Sequence, residues 1–131
     1  MENNTQTVYN IYYESETGYV VMKWRGYATS AQFREGSEIM LNTLTTNKAR
    51  KVLADIQDML VIGMDDQEWL QNHFIPRAVS FGFKALAIVK PKNYFNKVAV
   101  EAVSYKVDTS KLTINFFDSL DEARAWLAGF S

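Results

Sequence analysis

Two short apolar runs, "VLADI" (52–56) and "ALAIV" (85–89), constrain this chain more than any other feature. A strand with one face in water alternates polar and apolar residues. A run that is apolar nearly throughout has both faces covered, which is the pattern of a central strand in a parallel sheet. Parallel neighbours also need a crossover of roughly a dozen residues or more. The segment joining these two runs contains "DDQEWLQNHFIPRAVSFG", in which Trp69, Leu70, His73 and Phe74 recur at helical spacing. Pro76 either kinks that helix or begins a second one, and Gly82 closes it.

The other elements fit around this pair. "VYNIYY" (8–13) and "YVVMKWR" (19–25) are β-rich, and Gly18 between them supplies the turn of an antiparallel hairpin. "ATSAQFREGSEIMLNTL" changes to helical spacing, with Phe33, Met40 and Leu44 on one face and Gly36 at a point of close packing. Thr29 and Gln32 form a capping box at its start, and Asn47 ends it. In "NYFNKVAVEAVSYK", Tyr94, Phe95, Val98, Ala99, Ala102 and Val103 make one broad helical stripe. "KLTINFF" (111–117) is a strand. "SLDEARAWLAGF" is a closing helix with Ser119 and Glu122 as its box, Leu120, Ala123, Trp126 and Leu127 facing inward, and Gly129 as its stop. The order ββαβαβαβα predicts an α/β fold: a mixed, mostly parallel five-stranded sheet with an N-terminal β-hairpin and four helices, joined by right-handed crossovers. No repeat, low-complexity segment or linker interrupts it, so residues 1–131 are expected to form a single domain.

Composition narrows the function classes. With 131 residues, 47% hydrophobic and 22% charged, the chain lies in the globular range. A net charge of -1 argues against nucleic acid, because a phosphate-binding face needs an excess of Lys and Arg. The absence of cysteine removes disulfides, thiol nucleophiles and thiolate metal sites, and agrees with a reducing cytoplasm. "MENNTQT" has no features of a signal peptide, and no run approaches the roughly 20 apolar residues of a membrane span. A cytoplasmic location is expected.

Catalytic chemistry finds little material. His73 is the one histidine, so Ser37, Ser80, Ser104 and Ser110 have no candidate base and no metal set can be assembled around it. GxGxxG, P-loop and GxSxG motifs are absent. No catalytic residue, metal or cofactor is assigned, and a non-enzymatic protein is expected. Asp55 and Asp58 flank the end of an apolar strand, where α/β proteins place ligand-facing groups. For Asp55 the expected role is a loop-anchoring hydrogen bond, with Arg77, Lys84 or a backbone amide as candidate partner.

Three landmarks carry a resemblance: "VLADIQDM…MDDQEWL", "PRAVSFGFKALAIV" and the closing "INFFDSLDEARAWL". Together they span roughly residues 8–128 and resemble the SpoIIAA-like group, related to STAS (anti-sigma factor antagonist) and STAS/SEC14-like domains. The resemblance implies a sheet of about five strands with packed helices and a role in protein regulation or ligand sensing. STAS domains have "DSSG" at a helix start, with a phosphorylated serine. Here the matching "MDDQE" puts Asp66 and Gln67 where serines would stand, so a phosphorylation switch of that type is not expected. Asp65 with Glu68 imitates a capping box instead, and the carboxylates at 65 and 66 are expected to satisfy free amides of the helix start.

Two surfaces follow. The leading expectation is a regulatory or protein-interaction module that presents the 57–69 loop and helix, with Asp58, Met64, Asp65, Asp66 and Trp69 as candidate partner-binding residues. The alternative is a small apolar, lipid-like ligand held in a groove lined by Trp69, Phe74, Tyr94 and Phe95. The crowding of Tyr9, Tyr12, Tyr13, Tyr19, Trp24 and Tyr27 on the hairpin further predicts a homodimer through its outer face.

Overall fold

A computed structural model describes residues 8–130. The elements run β1 (Tyr9–Glu14), β2 (Tyr19–Gly26), α1 (Ser30–Thr46), β3 (Lys51–Met59), α2 (Met64–Trp69), a π-helical turn (Leu70–Phe74), α3 (Ile75–Ser80), β4 (Ala85–Val89), α4 (Tyr94–Ser104), β5 (Thr113–Phe117) and α5 (Leu120–Gly129). The strands form one sheet in the order β1-β2-β3-β4-β5, with β1 antiparallel to β2 and every other pair parallel. This is the expected mixed α/β sheet.

Because the parallel strands follow one another in space as they do in sequence, right-handed crossovers put α1, α2–α3 and α4 on one face. Val20, Val52, Leu112 and Phe74 fill the core on that side, and Trp24, Phe33, Ile56 and Ile88 extend it. The opposite face belongs to α5: Ala123 and Leu127 pack on Tyr19, Val21, Leu53, Ala85, Ala87 and Val89. The alanines of β4 let that helix come close. With helices on both faces, β3 and β4 are covered as their apolar runs require.

Local chemistry sets the element ends. Thr29 Oγ1 accepts the Gln32 amide at 3.1 Å while the Thr29 amide donates to Gln32 Oε1 at 2.9 Å, the expected box. At α5, Ser119 Oγ accepts from the Glu122 amide, but the Glu122 carboxylate turns to the Asp118 amide, so that box is only half made. Gly36 faces the buried Trp24 ring, and a Cβ there would stand 2.5 Å from Cη2. The crossover helix breaks in an instructive way. Pro76 lacks an N–H, and its ring crowds the carbonyl one turn earlier. The Ile75 amide bonds to the Leu70 carbonyl, closing a wider π-turn just ahead of the proline. Pro76 thus stands at the start of a second helix, α3, the second of the two expected alternatives.

Candidate functional site

The carboxyl ends of β2, β3, β4 and β5 lie along one edge of the sheet, and the loops that follow them share that edge. The loop after β3 is the most distinctive. Its chain runs Leu60, Val61, Ile62, Gly63 and into α2 at Met64. Leu60 and Val61 are exposed, and Met64 is 70% exposed. Tyr27, 63% exposed, stands next to them, since the Leu60 amide donates to the Gly26 carbonyl at 3.0 Å. Only Ile62 turns inward, where it joins Trp24, Phe33 and Ile56.

Buried polar groups pin this loop. Asn96, on the inner face of α4, is wholly enclosed; its Oδ1 accepts the Ile62 amide at 3.1 Å and its Nδ2 donates to the Met59 carbonyl at 3.5 Å. From the other side, Gln67 Nε2 donates to the Ile62 carbonyl at 2.7 Å. A buried amide needs partners of this kind, and here they fix the backbone of an exposed loop.

The expected acidic cap is not what Asp65 and Asp66 provide. Gly63 is the N-cap and no side chain caps this helix, so the Asp65–Glu68 box does not form. The helix begins one residue before Asp65, which leaves Asp65 exposed and turns Asp66 inward. Asp66 is 5% exposed; its carboxylate accepts from Ser30 Oγ at 2.8 Å and from Arg34 Nε at 3.0 Å. The Arg34 guanidinium lies over the Trp69 ring, 5.2 Å from its centroid, and Trp69 stacks on Phe74 at 5.1 Å. Asp66 is therefore a tie between α2 and α1. Both acids still stand in the first turn, where the dipole favours them.

Other expected residues separate in the same way. Asp58 is exposed, with Lys92 Nζ 3.4 Å from its carboxylate. Asp55 pairs with neither Arg77 nor Lys84; it accepts from the amide and side chain of Gln57, at 3.2 and 3.0 Å. This is a local anchor, and a β-bulge beside it shifts the β2–β3 register between Lys23 and Arg25. His73 is exposed on the π-turn.

The four-ring groove does not assemble. Trp69 and Phe74 stack inside, whereas Tyr94 and Phe95 are each about 70% exposed and touch each other edge-on at 5.8 Å. The reason is the angular phase of α4: Asn96, Ala99 and Val103 take the inner face, which turns Tyr94 and Phe95 outward. A different space exists instead. A cavity of about 110 Å³ lies between the sheet and the three crossover helices, lined by Met22, Met40, Ile56, Phe74, Leu86 and Val100 among others. Its hydroxyls, Ser37 and Ser104, are spent on the carbonyls of Phe33 and Glu101. Of the four expected rings only Phe74 lines it.

The hairpin aromatics also point inward more than expected. Tyr19 and Trp24 are buried, and Tyr9 packs on Trp24 and donates to Glu35 at 2.5 Å. That carboxylate, with burial and its charge, pushes the Tyr9 phenol up to about 12. At the other end of the hairpin, Arg124 of α5 forks onto Glu14 at 2.7 and 3.2 Å and donates to Tyr19 Oη at 2.9 Å. This fork, with Thr17, holds the Glu14 carboxyl below its usual range.

Sheet order, one-sided crossovers and a pinned, exposed β3–α2 junction define a mixed β/α domain with its loops gathered on one sheet edge. The chain belongs to the SpoIIAA-like family, whose model matches residues 19–128. Two solved structures share the fold. An uncharacterised protein of the DUF3478 family with a SpoIIAA-like fold, from Shewanella loihica PV-4, is 19% identical, with a TM-score of 0.60 over 97% of this chain and 98% of that one. An anti-sigma factor antagonist from Mycobacterium paratuberculosis is 8% identical, with a TM-score of 0.58 over 95% and 98%. At these identities the likeness is one of fold. No curated protein matches the chain significantly.

Proposed function

We propose that this chain is a single, non-enzymatic interaction module whose β3–α2 junction docks a protein partner. One observation carries the reading: Leu60, Val61, Met64 and Tyr27 expose apolar side chains together on a backbone held by the buried Asn96. Exposed apolar clusters of this kind mark contact sites, and a loop already fixed in place loses little freedom on binding. Asp65 and Glu68 give the patch an exposed acidic border, with Asp58 beyond them already facing Lys92, so the partner is a protein with an apolar patch bordered by Lys or Arg. The fold shared with an anti-sigma factor antagonist supports a protein as the partner. Asp66 and Trp69 act in this reading by holding α2 rather than by touching the partner.

A photo-crosslinking side chain at position 64, introduced in cells, tests it. One adduct is expected, lost when Val61→Glu is added and absent from the same probe at Asp118. Adducts that are heterogeneous and indifferent to Val61→Glu would refute the reading.

The cavity favours a second reading, an apolar ligand. Apolar cavities of similar size stay dry and take up molecules such as benzene or xenon. With both hydroxyls committed and no charged lining group, this one fits a small neutral apolar molecule or a short chain end. Native mass spectrometry of the purified protein should show a bound apolar species that is lost in Ala54→Leu, which fills the space. A ligand-free spectrum, with no rise in melting temperature under benzene, counts against it.

A further inference from the structure

Helix α4 has two apolar faces. The inner one, Asn96, Ala99 and Val103 with Val100 half-buried beside them, meets the core. The outer one is Phe95 (70% exposed), Val98 (47%), Ala102 and Tyr105 (81%), with Tyr94 beside Phe95. A surface helix ordinarily turns charge outward. Residues 95, 98, 102 and 105 are spaced three, four and three apart, the a and d positions of a heptad and the seam of a paired helix.

We propose that this outer face of α4 docks a second copy of the chain, the two α4 helices running antiparallel across a two-fold axis. The pattern reads the same in both directions about residue 100. A two-fold axis there sets Phe95 against the partner's Tyr105 and Val98 against the partner's Ala102. Such a contact must be complementary to itself. Rings stand at the two ends and small side chains at the crossing, where the helices come closest. A seam spaced three, four and three is its own reverse, so this face can meet a second copy of itself.

The area reaches the threshold for a weak dimer. Aromatic side chains cover about 150–250 Å² each. At the exposures of Tyr94, Phe95 and Tyr105, with Val98 and Ala102 added, each copy offers on the order of 500 Å². Fully covered, two copies would bury about 1,000 Å², the lower bound for a biological interface and the size of a weak, reversible one. The surface lies on the β4–β5 crossover, away from the hairpin at the other side of the sheet.

Light scattering on the full chain, at a series of concentrations, tests this. The apparent mass of the wild-type protein is expected to rise towards twice the chain mass as concentration increases. Val98→Glu with Ala102→Glu puts four like charges at the crossing and should weaken association at least about a hundredfold. Both positions are exposed, so circular dichroism and melting of the monomer should not change. Because the sequence has no cysteine, orientation can be read directly. Phe95→Cys mixed with Tyr105→Cys should cross-link under mild oxidation more readily than either variant alone. A wild-type monomer at every concentration overturns the proposal, as does a dimer indifferent to the double glutamate variant, or preferential Phe95→Cys self-linkage. A monomer that floats with phosphatidylglycerol vesicles through the same residues would give the face to a bilayer and overturn it equally.

Discussion

Asp66 is nearly enclosed, and its charge rests on two donors from α1, the Ser30 hydroxyl and Arg34 Nε. Removing the cation should therefore cost more than removing the anion. In Arg34→Ala a buried carboxylate keeps one neutral donor. Breaking a fully buried ion pair costs about 3–5 kcal/mol, but the Arg34 side chain is 42% exposed and water can take its place. Solvent access lowers the expected loss to about 2–3 kcal/mol. Asp66→Asn removes the charge, keeps an acceptor for Ser30 and leaves Arg34 able to turn to solvent, so its loss should be about 1–2 kcal/mol. In the Asp66→Asn background, Arg34→Ala should then cost only its contact with the Trp69 ring, about 0.5–1 kcal/mol. The cycle thus predicts a coupling of about 1–2 kcal/mol and a double variant close to Asp66→Asn alone. Urea unfolding followed by far-ultraviolet circular dichroism measures all four proteins. Additive losses would show that Asp66 is no tie to Arg34, and Asp66→Asn costing more than Arg34→Ala would refute the charge argument.

Other outcomes follow from the same structure. Gly36→Ala gains roughly 1 kcal/mol of helix propensity, but its Cβ meets the enclosed Trp24 ring; overpacking of about 1–3 kcal/mol should leave a net loss, visible as a lower melting temperature. Asn96→Ala strips the Ile62 amide and Met59 carbonyl of their partner and should cost about 2–3 kcal/mol. It should also speed hydrogen exchange at Ile62, and unchanged protection there would contradict the pinning role. The raised Tyr9 phenol contributes stability present in full below pH 10 and lost as pH rises towards about 12, because the unfolded state then releases the proton first. Tyr9→Phe should flatten that alkaline loss in a pH series of urea midpoints. Glu14, with its lowered carboxyl, contributes above the ordinary carboxylate range and loses that contribution as pH falls; Arg124→Ala should flatten the acid side correspondingly.

Most of the fold was legible because it depends on local pattern. The runs at 52–56 and 85–89 declared covered strands, Thr29 and Gln32 declared a helix start, and Gly36 declared a close contact. The candidate site was legible in place but not in role. Its position after β3 could be read from the strand–loop–helix order. The burial of Asp66 depends on Ser30 and Arg34, which lie an entire strand and helix earlier, and no local rule joins them. Asn96 was missed because a polar residue inside an apolar stripe reads as surface. Its spacing to Ala99 and Val103, three and then four residues, was the available signal, and it would have turned Tyr94 and Phe95 outward. The π-turn escaped because the pattern before Pro76 is compatible with an unbroken helix up to that residue.

That wider turn makes residue count, rather than residue identity, the constraint on the second crossover. The turn from Leu70 to Ile75 holds one residue more than an α-turn, so excising one position there would return the segment to ordinary winding while the helix beyond keeps its face. Ala78 would stay against the sheet, but Pro76 would then crowd the carbonyl one turn earlier, the clash that the wider turn relieves. Substitutions there should be tolerated far more readily than single-residue deletions.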